Sequence, residues 1–383
     1  METIEMTRPE EMGLSGSRLD AALQIIGSAV ASGFIPGAVT AIYRRGKLVR
    51  LAAFGQRGPA ADAPAVCTDT VFLVASLTKP IVCAGAMLLL EEGRFCLEQP
   101  VASFVPEFAA NGKEKVTIRH LLTHTSGLPD QLPQNTELRC RHAPQPEFVR
   151  AVCQSTLLFP PGTRVSYQSM GILMLGEIVE RLTGQQLRDY LHERLFIPLD
   201  MKDSTLGLPP SGMTRVALSL PPAFPPDSPD YGSDWNSPYW RDFGAPWGGL
   251  HSTVVDLGRF LLHMLGDLPG PLSPATRQAM LRDQIPPHVL AEEPLCQRWG
   301  LGFMLGARYF GDLVSPDTFG HVGATGTLYW ADPKSKLACV LLTNQPRLLG
   351  AEPVGSECLF ARYSNAVASA ERETAEDVDT RNT

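Results

Sequence analysis

The sequence predicts an α+β/α protein whose chain begins and ends in one α/β lobe and carries an inserted all-helical lobe. Three observations predict it. Strand-like runs cluster towards the two ends, helical spacing dominates residues 95–205, and residues 206–247 break both patterns with prolines and aromatic residues.

Residues 10–32 carry helical spacing through Leu14, Leu19, Ala22, Leu23 and Ile26, and residues 37–53 then read as two short strands around Arg44-Arg45-Gly46-Lys47. The apolar run Val71-Phe72-Leu73-Val74 reads as a strand that feeds a helix opening at Ser76. From Pro80 to Gly93 apolar residues wrap most of the helix surface, as in a buried helix, and Gly93 fits a C-cap. Met170 to Leu182 is the clearest helix of the middle, with Ile172, Leu173, Leu175, Ile178, Val179 and Leu182 on helical spacing. Tyr231, Trp235, Tyr239, Trp240, Phe243 and Trp247 then crowd a stretch expected to be a long loop over the site, serving either as core beneath that loop or as an acyl-chain pocket. Strands return from about residue 300, with Leu328-Tyr329-Trp330 and Leu337 to Leu342 separated by the turn signal Asp332-Pro333. A last helix is expected over Cys358 to Ala370, and the polar residues 371–383 are expected to be disordered. The expected division is therefore 1–80 with 245–370 as the α/β lobe, 81–244 as the helical lobe, and a tail.

Composition narrows the function classes. In 383 residues, 44% hydrophobic content is ample for a sizeable core. Lys and Arg total 33 against 40 Asp and Glu, a net charge of −7, and no dense basic run is present to neutralise phosphates. Nucleic acid is not an expected partner. The apolar stretch Ile81 to Leu90 is too short to cross a bilayer, and the opening Met1-Glu2-Thr3-Ile4-Glu5-Met6 lacks the basic and apolar regions of a secretory signal. A cytoplasmic location away from membranes is expected. The eight cysteines form no C-x-x-C pair and the eight histidines no H-E-x-x-H, so neither a metal nor a redox motif is indicated.

The chemistry starts at Ser76-Leu77-Thr78-Lys79. A helix beginning near Ser76 puts Lys79 one turn on, roughly 5 Å along the axis, where its amine reaches the serine hydroxyl. A serine hydroxyl is a weak nucleophile until a neighbour takes its proton. Serine at a helix start is more often a cap, but a capping serine has no need of Lys79. The Gly-x-Ser-x-Gly elbow of α/β-hydrolases is absent.

Further motifs follow in order. They are Ile118 to Leu128 (Ile-Arg-His-Leu-Leu-Thr-His-Thr-Ser-Gly-Leu), Phe159-Pro160-Pro161-Gly162-Thr163 running into Tyr167-Gln168-Ser169, Gly248 to Thr253 with Asp256-Leu257, Gly300-Leu301-Gly302-Phe303, and Gly320 to Gly326. Together with Val74 to Pro80 they resemble the serine beta-lactamase and penicillin-binding-protein superfamily, in particular its family VIII carboxylesterases. The resemblance runs from about residue 10 to about residue 365. It implies a beta-lactamase-like (class C type) antiparallel sheet flanked by helices.

The same resemblance implies site roles. Tyr167 stands where the family places a phenol beside the nucleophile and lysine, and either Lys79 or Tyr167 serves as base. His321-Val322-Gly323 occupies the place of Lys-Thr-Gly; histidine is mostly neutral at pH 7, so substrates without a carboxylate are favoured. The amides of Ser76 and Ala324 correspond to the oxyanion hole, and Gly323 permits close approach of backbone to substrate. Ser169 replaces an asparagine, which weakens the case for lactam turnover. His124-Thr125-Ser126-Gly127 is read as a turn held by side-chain hydrogen bonds. The expected function is a carboxylesterase acting on small to medium esters, without cofactor or metal. β-Lactamase, D-amino-acid peptidase, acyltransferase and a silent binding protein are the alternatives, and a homo-oligomer is allowed.

Overall fold

In the computed structural model, residues 6–60, 62–221, 234–306, 308, 310–346 and 356–372 are described. Ten strands are present among them: β1 (Gly37–Arg44), β2 (Lys47–Gly55), β3 (Phe72–Leu73), β4 (Thr205–Leu206), β5 (Leu250–Ser252), β6 (Arg298–Trp299), β7 (Met304–Leu305), β8 (Phe319–Gly323), β9 (Thr327–Asp332) and β10 (Leu337–Thr343). Seven form one sheet in the order β2-β1-β10-β9-β8-β7-β6, and every neighbouring pair is antiparallel. The other three form a small sheet, β3-β5-β4.

Antiparallel sheets usually leave one face to water and alternate polar with apolar residues. Here both faces are covered, so the central strands are buried throughout. Alternation still sorts side chains between two cores. Ala38, Ile42, Leu328, Trp330, Cys339 and Leu341 face one core with Leu19, Ala22, Ile26, Phe360 and Tyr363. Val39, Ala41, Tyr43, Tyr329, Ala331 and Val340 face the other with Leu257, Phe260 and Leu261. The first core lies under the helices Gly16–Ala31 and Ser356–Ala368, which pack on each other, and the second under Val254–Leu265.

Helices Thr78–Glu91, Ile118–Leu122, Gln145–Gln154 and Met170–Thr183 lie between β3 and β4 in the chain, and Thr78–Glu91 is buried from Thr78 to Leu89. Gly85 lies against Leu191, where an added Cβ would stand 2.4 Å from Leu191 Cδ2. Glu92 caps the helix and Gly93 follows with φ +70°.

Differences from the sequence expectation are local. The Ser76 segment is a short 3-10 turn, Ala75–Leu77, and the α-helix starts at Thr78. Residues 206–247 hold a 3-10 helix, Pro210–Arg215, and an α-helix, Pro238–Phe243, rather than loop alone. Tyr231 lies outside the described residues. Glu371 pairs with Leu14, and Arg372 N donates to Gly13 O at 3.0 Å; residues 373–383 of the expected tail are outside the described set. No helix among the described residues is long and apolar enough to cross a membrane.

Candidate active site

Ser76 stands between β3 and the Thr78–Glu91 helix, and the residue before it, Ala75, has φ +48°. A residue with a side chain adopts this left-handed conformation only where its surroundings hold it. The surroundings are a net of hydrogen bonds. Val74 N donates to Leu250 O at 2.9 Å, while Thr78 Oγ1 donates to Ala75 O at 2.6 Å and accepts from Leu250 N at 3.1 Å. From β9 and the turn before it, the hydroxyls of Thr325, Thr327 and Tyr329 donate to the carbonyls of Leu73, Val74 and Leu77 at 2.7, 2.8 and 3.2 Å. On β9 the two-residue spacing puts Thr327 and Tyr329 on one side of the strand. Gly323 allows this approach, since an added Cβ would meet Val74 O at 2.5 Å and Thr327 Oγ1 at 2.1 Å.

The helix after Ser76 has no side-chain cap, so the serine is not spent on the capping role. Its Oγ instead accepts from Lys79 Nζ at 3.0 Å, and the same amine donates to Trp247 O at 2.9 Å. Lys79 has no exposed surface. Its Nζ lies 4.6 Å from the centroid of the Tyr167 ring. Ser76, Lys79 and Tyr167 therefore lie side by side.

Tyr167 and Ser76 line a cavity of about 600 Å³ between the sheet and the helical region. Ser169, His321 and Ala324 line it too. Ser169 Oγ donates to Asp130 Oδ1 at 2.6 Å, His321 is buried on β8 with Nδ1 2.7 Å from Val322 O, and Ala324 is exposed in the turn after β8. The sequence reading missed Asp130, Arg139, Trp299 and Met304, which also face the cavity. Only Trp299 carried a signal, as the residue before Gly300-Leu301-Gly302-Phe303. It stacks on Tyr167 with centroids 5.9 Å apart.

The described part of the aromatic segment is core and also reaches the cavity wall. Trp235, Trp240 and Trp247 are buried in the core and also line the cavity, where Arg139 stacks over Trp240 at 4.0 Å. The Thr123–Leu128 turn is held as expected. Ser126 Oγ donates to Gln168 Oε1 and accepts from Leu128 N at 3.0 Å, and Gly127 takes φ +81°. His120 completes a capping box with Thr117, its Nδ1 accepting from Thr117 N at 3.1 Å.

A family model described as Beta-lactamase matches residues 23–355. The chain belongs to the beta-lactamase family. Penicillin-binding protein 4 from Amycolatopsis lactamdurans is 33% identical over 331 residues, covering 81% of each chain. Esterase EstB from Burkholderia gladioli is 35% identical over 202 residues, 49% of this chain and 50% of that protein. Among solved structures, EstCE1, described as a hydrolase with promiscuous acyltransferase activity, superposes with a TM-score of 0.75 over 92% of this chain and 99% of its own, at 21% identity. That last likeness is one of fold. The chain is thus a beta-lactamase-family serine hydrolase with esterase and penicillin-binding relatives.

Proposed function

We propose that the protein is a carboxylesterase that cleaves small to medium acyl esters through an acyl-serine intermediate. The observation that carries this reading is the 3.0 Å contact between the buried Lys79 amine and Ser76 Oγ at the wall of a tryptophan-lined cavity. Ser76 Oγ attacks the ester carbonyl as its proton passes to Lys79 or Tyr167. The Ser76 and Ala324 amides hold the oxyanion, and collapse of the tetrahedral species expels the alcohol, which takes the proton back. Water then attacks the acyl-enzyme with the same groups in reverse, releasing the acid and restoring Ser76. Neither step calls for a metal or organic cofactor.

His321 supports ester over lactam or peptide substrates, because the family's lysine at this place would offer a permanent charge to a substrate carboxylate. The tryptophan walls favour an apolar acyl group. The test is hydrolysis of p-nitrophenyl acetate, butyrate and octanoate beside a chromogenic cephalosporin, for wild type and Ser76→Ala. Ester turnover that vanishes in the variant, with little lactam turnover, is the expected result. Lactam turnover alone would move the protein to the lactamase reading. Acyl transfer is the second reading, favoured by the fold shared with EstCE1. An added acceptor alcohol that becomes acylated in place of water would establish it.

A further inference from the structure

His124 is a buried histidine that the proposed mechanism does not use, and it is held in an uncommon conformation, φ +58°. Asparagine and histidine are among the residues that tolerate this region best. The consequence is that its main chain and its ring both reach the same stretch of chain. Ser166 N donates to His124 O at 2.9 Å, and Gln168 N donates to His124 Nδ1 at 3.2 Å. These two amides flank Tyr167 directly. The imidazole also lies 4.8 Å from the Tyr167 ring and meets Trp299 edge to face at 4.1 Å.

We infer that His124 is a positioning residue for Tyr167, its carbonyl and Nδ1 clamping the amides on either side of the phenol so that the ring stays beside Lys79 and Ser76. This rests on the reading of Tyr167 as a proton-transfer group. The clamp requires an uncharged ring with an open lone pair on Nδ1 and its proton on Nε2, because a protonated Nδ1 cannot accept from Gln168 N. Burial first, and then the Lys79 amine and the His321 ring nearby, hold the His124 pKa well below the usual histidine range, so the required form persists at working pH. The groups that face the ring are Lys79 from the Thr78–Glu91 helix, Tyr167, and His321 from β8.

Two substitutions separate clamping from bulk. His124→Asn carries its side-chain oxygen as many bonds from the backbone as Nδ1, and asparagine accepts a positive φ, so it keeps the acceptor and loses the ring. His124→Phe keeps a ring and loses the acceptor. With p-nitrophenyl butyrate, well below each variant's melting temperature, His124→Phe is expected to lose about tenfold or more in kcat with KM little changed, and its pH–kcat profile to move. His124→Asn is expected to recover most of that loss. Full activity in His124→Phe, or an equal loss in both variants, would overturn the inference.

A measurement on the wild-type protein stands beside these in case the variants fail to fold. The 15N shifts of the His124 imidazole are expected to report a proton on Nε2 alone, unchanged from about pH 6 to about pH 9. A proton on Nδ1, or titration of the ring, would overturn the clamp. Absence of ester turnover in wild type would defeat the proposed function instead and leave this spectroscopic test standing.

Discussion

In the proposed mechanism, Lys79 is the side chain on which the chemistry at Ser76 turns. An exposed lysine would be solvated and mobile, whereas this one is buried and divides its amine between Ser76 Oγ and Trp247 O. Lys79→Met and Tyr167→Phe are each expected to lower kcat for p-nitrophenyl butyrate by about 10²–10⁴-fold with KM changed only a few-fold, as removal of a proton-transfer group does. Steady-state kinetics on both variants check this, and a variant retaining full kcat would remove that residue from the mechanism. These residues were legible in the sequence because Ser76 and Lys79 are one helical turn apart and Tyr167 lies in a motif of fixed order. Asp130 and Arg139 were not, since they meet the other site residues only when separate segments pack around the cavity.

At the scale of elements, the turn carrying Ser76 is stapled to the sheet by Thr325, Thr327 and Tyr329. In the sequence Tyr329 reads as an ordinary strand residue and Thr325 as part of the Gly320 to Gly326 motif, because alternation reports which face a side chain takes but not what it bonds. Thr327→Val keeps the shape and removes the bond to Val74 O, so it is expected to cost about 1–3 kcal/mol in thermal unfolding and to lower kcat. Gly323→Ala is expected to do more, since its Cβ would meet backbone at 2.5 Å.

The helix Val254–Leu265 offers a pH test. Burial pushes the Asp256 carboxyl up to about 6, against hydrogen bonds from Ser204 Oγ and Asp203 N, both 2.8 Å long, that oppose the rise. A raised carboxyl contributes stability fully below its unfolded value near 4, and that contribution is lost as pH rises through about 6. Asp256→Asn should therefore gain relative to wild type between pH 5 and pH 8 in melting temperature, and a difference independent of pH would contradict this. The helices Gly16–Ala31, Thr78–Glu91, Met170–Thr183 and Ser356–Ala368 and the strands β1, β2, β9 and β10 were legible in the sequence, whereas Val254–Leu265 was not singled out. β3 was legible as the apolar run Val71-Phe72-Leu73-Val74, whereas the two-residue strands β4, β6 and β7 were not, because two residues carry no period.

For the whole molecule, the sheet joins residues from both ends of the chain, β1 lying between β2 and β10. The sequence showed that both ends are strand-rich, and the family resemblance implied the antiparallel sheet. The order of strands was not legible, since residues far apart in sequence set it. Closure of one sheet face depends on the helix Ser356–Ala368, where fully buried Tyr363 meets Thr40 Oγ1 at 2.5 Å. Tyr363→Ala is expected to cost about 3–5 kcal/mol in denaturant unfolding. Both faces of the sheet are thus covered, and β9 of that sheet holds the Ser76 turn through Thr327 and Tyr329.

The central claim is that Ser76 forms the acyl-enzyme, and its most direct test is mass spectrometry of protein quenched during turnover of p-nitrophenyl butyrate. The account predicts a butyryl adduct on the peptide containing Ser76, absent from Ser76→Ala. Ester turnover with no adduct there, or with the adduct on another residue, would contradict it.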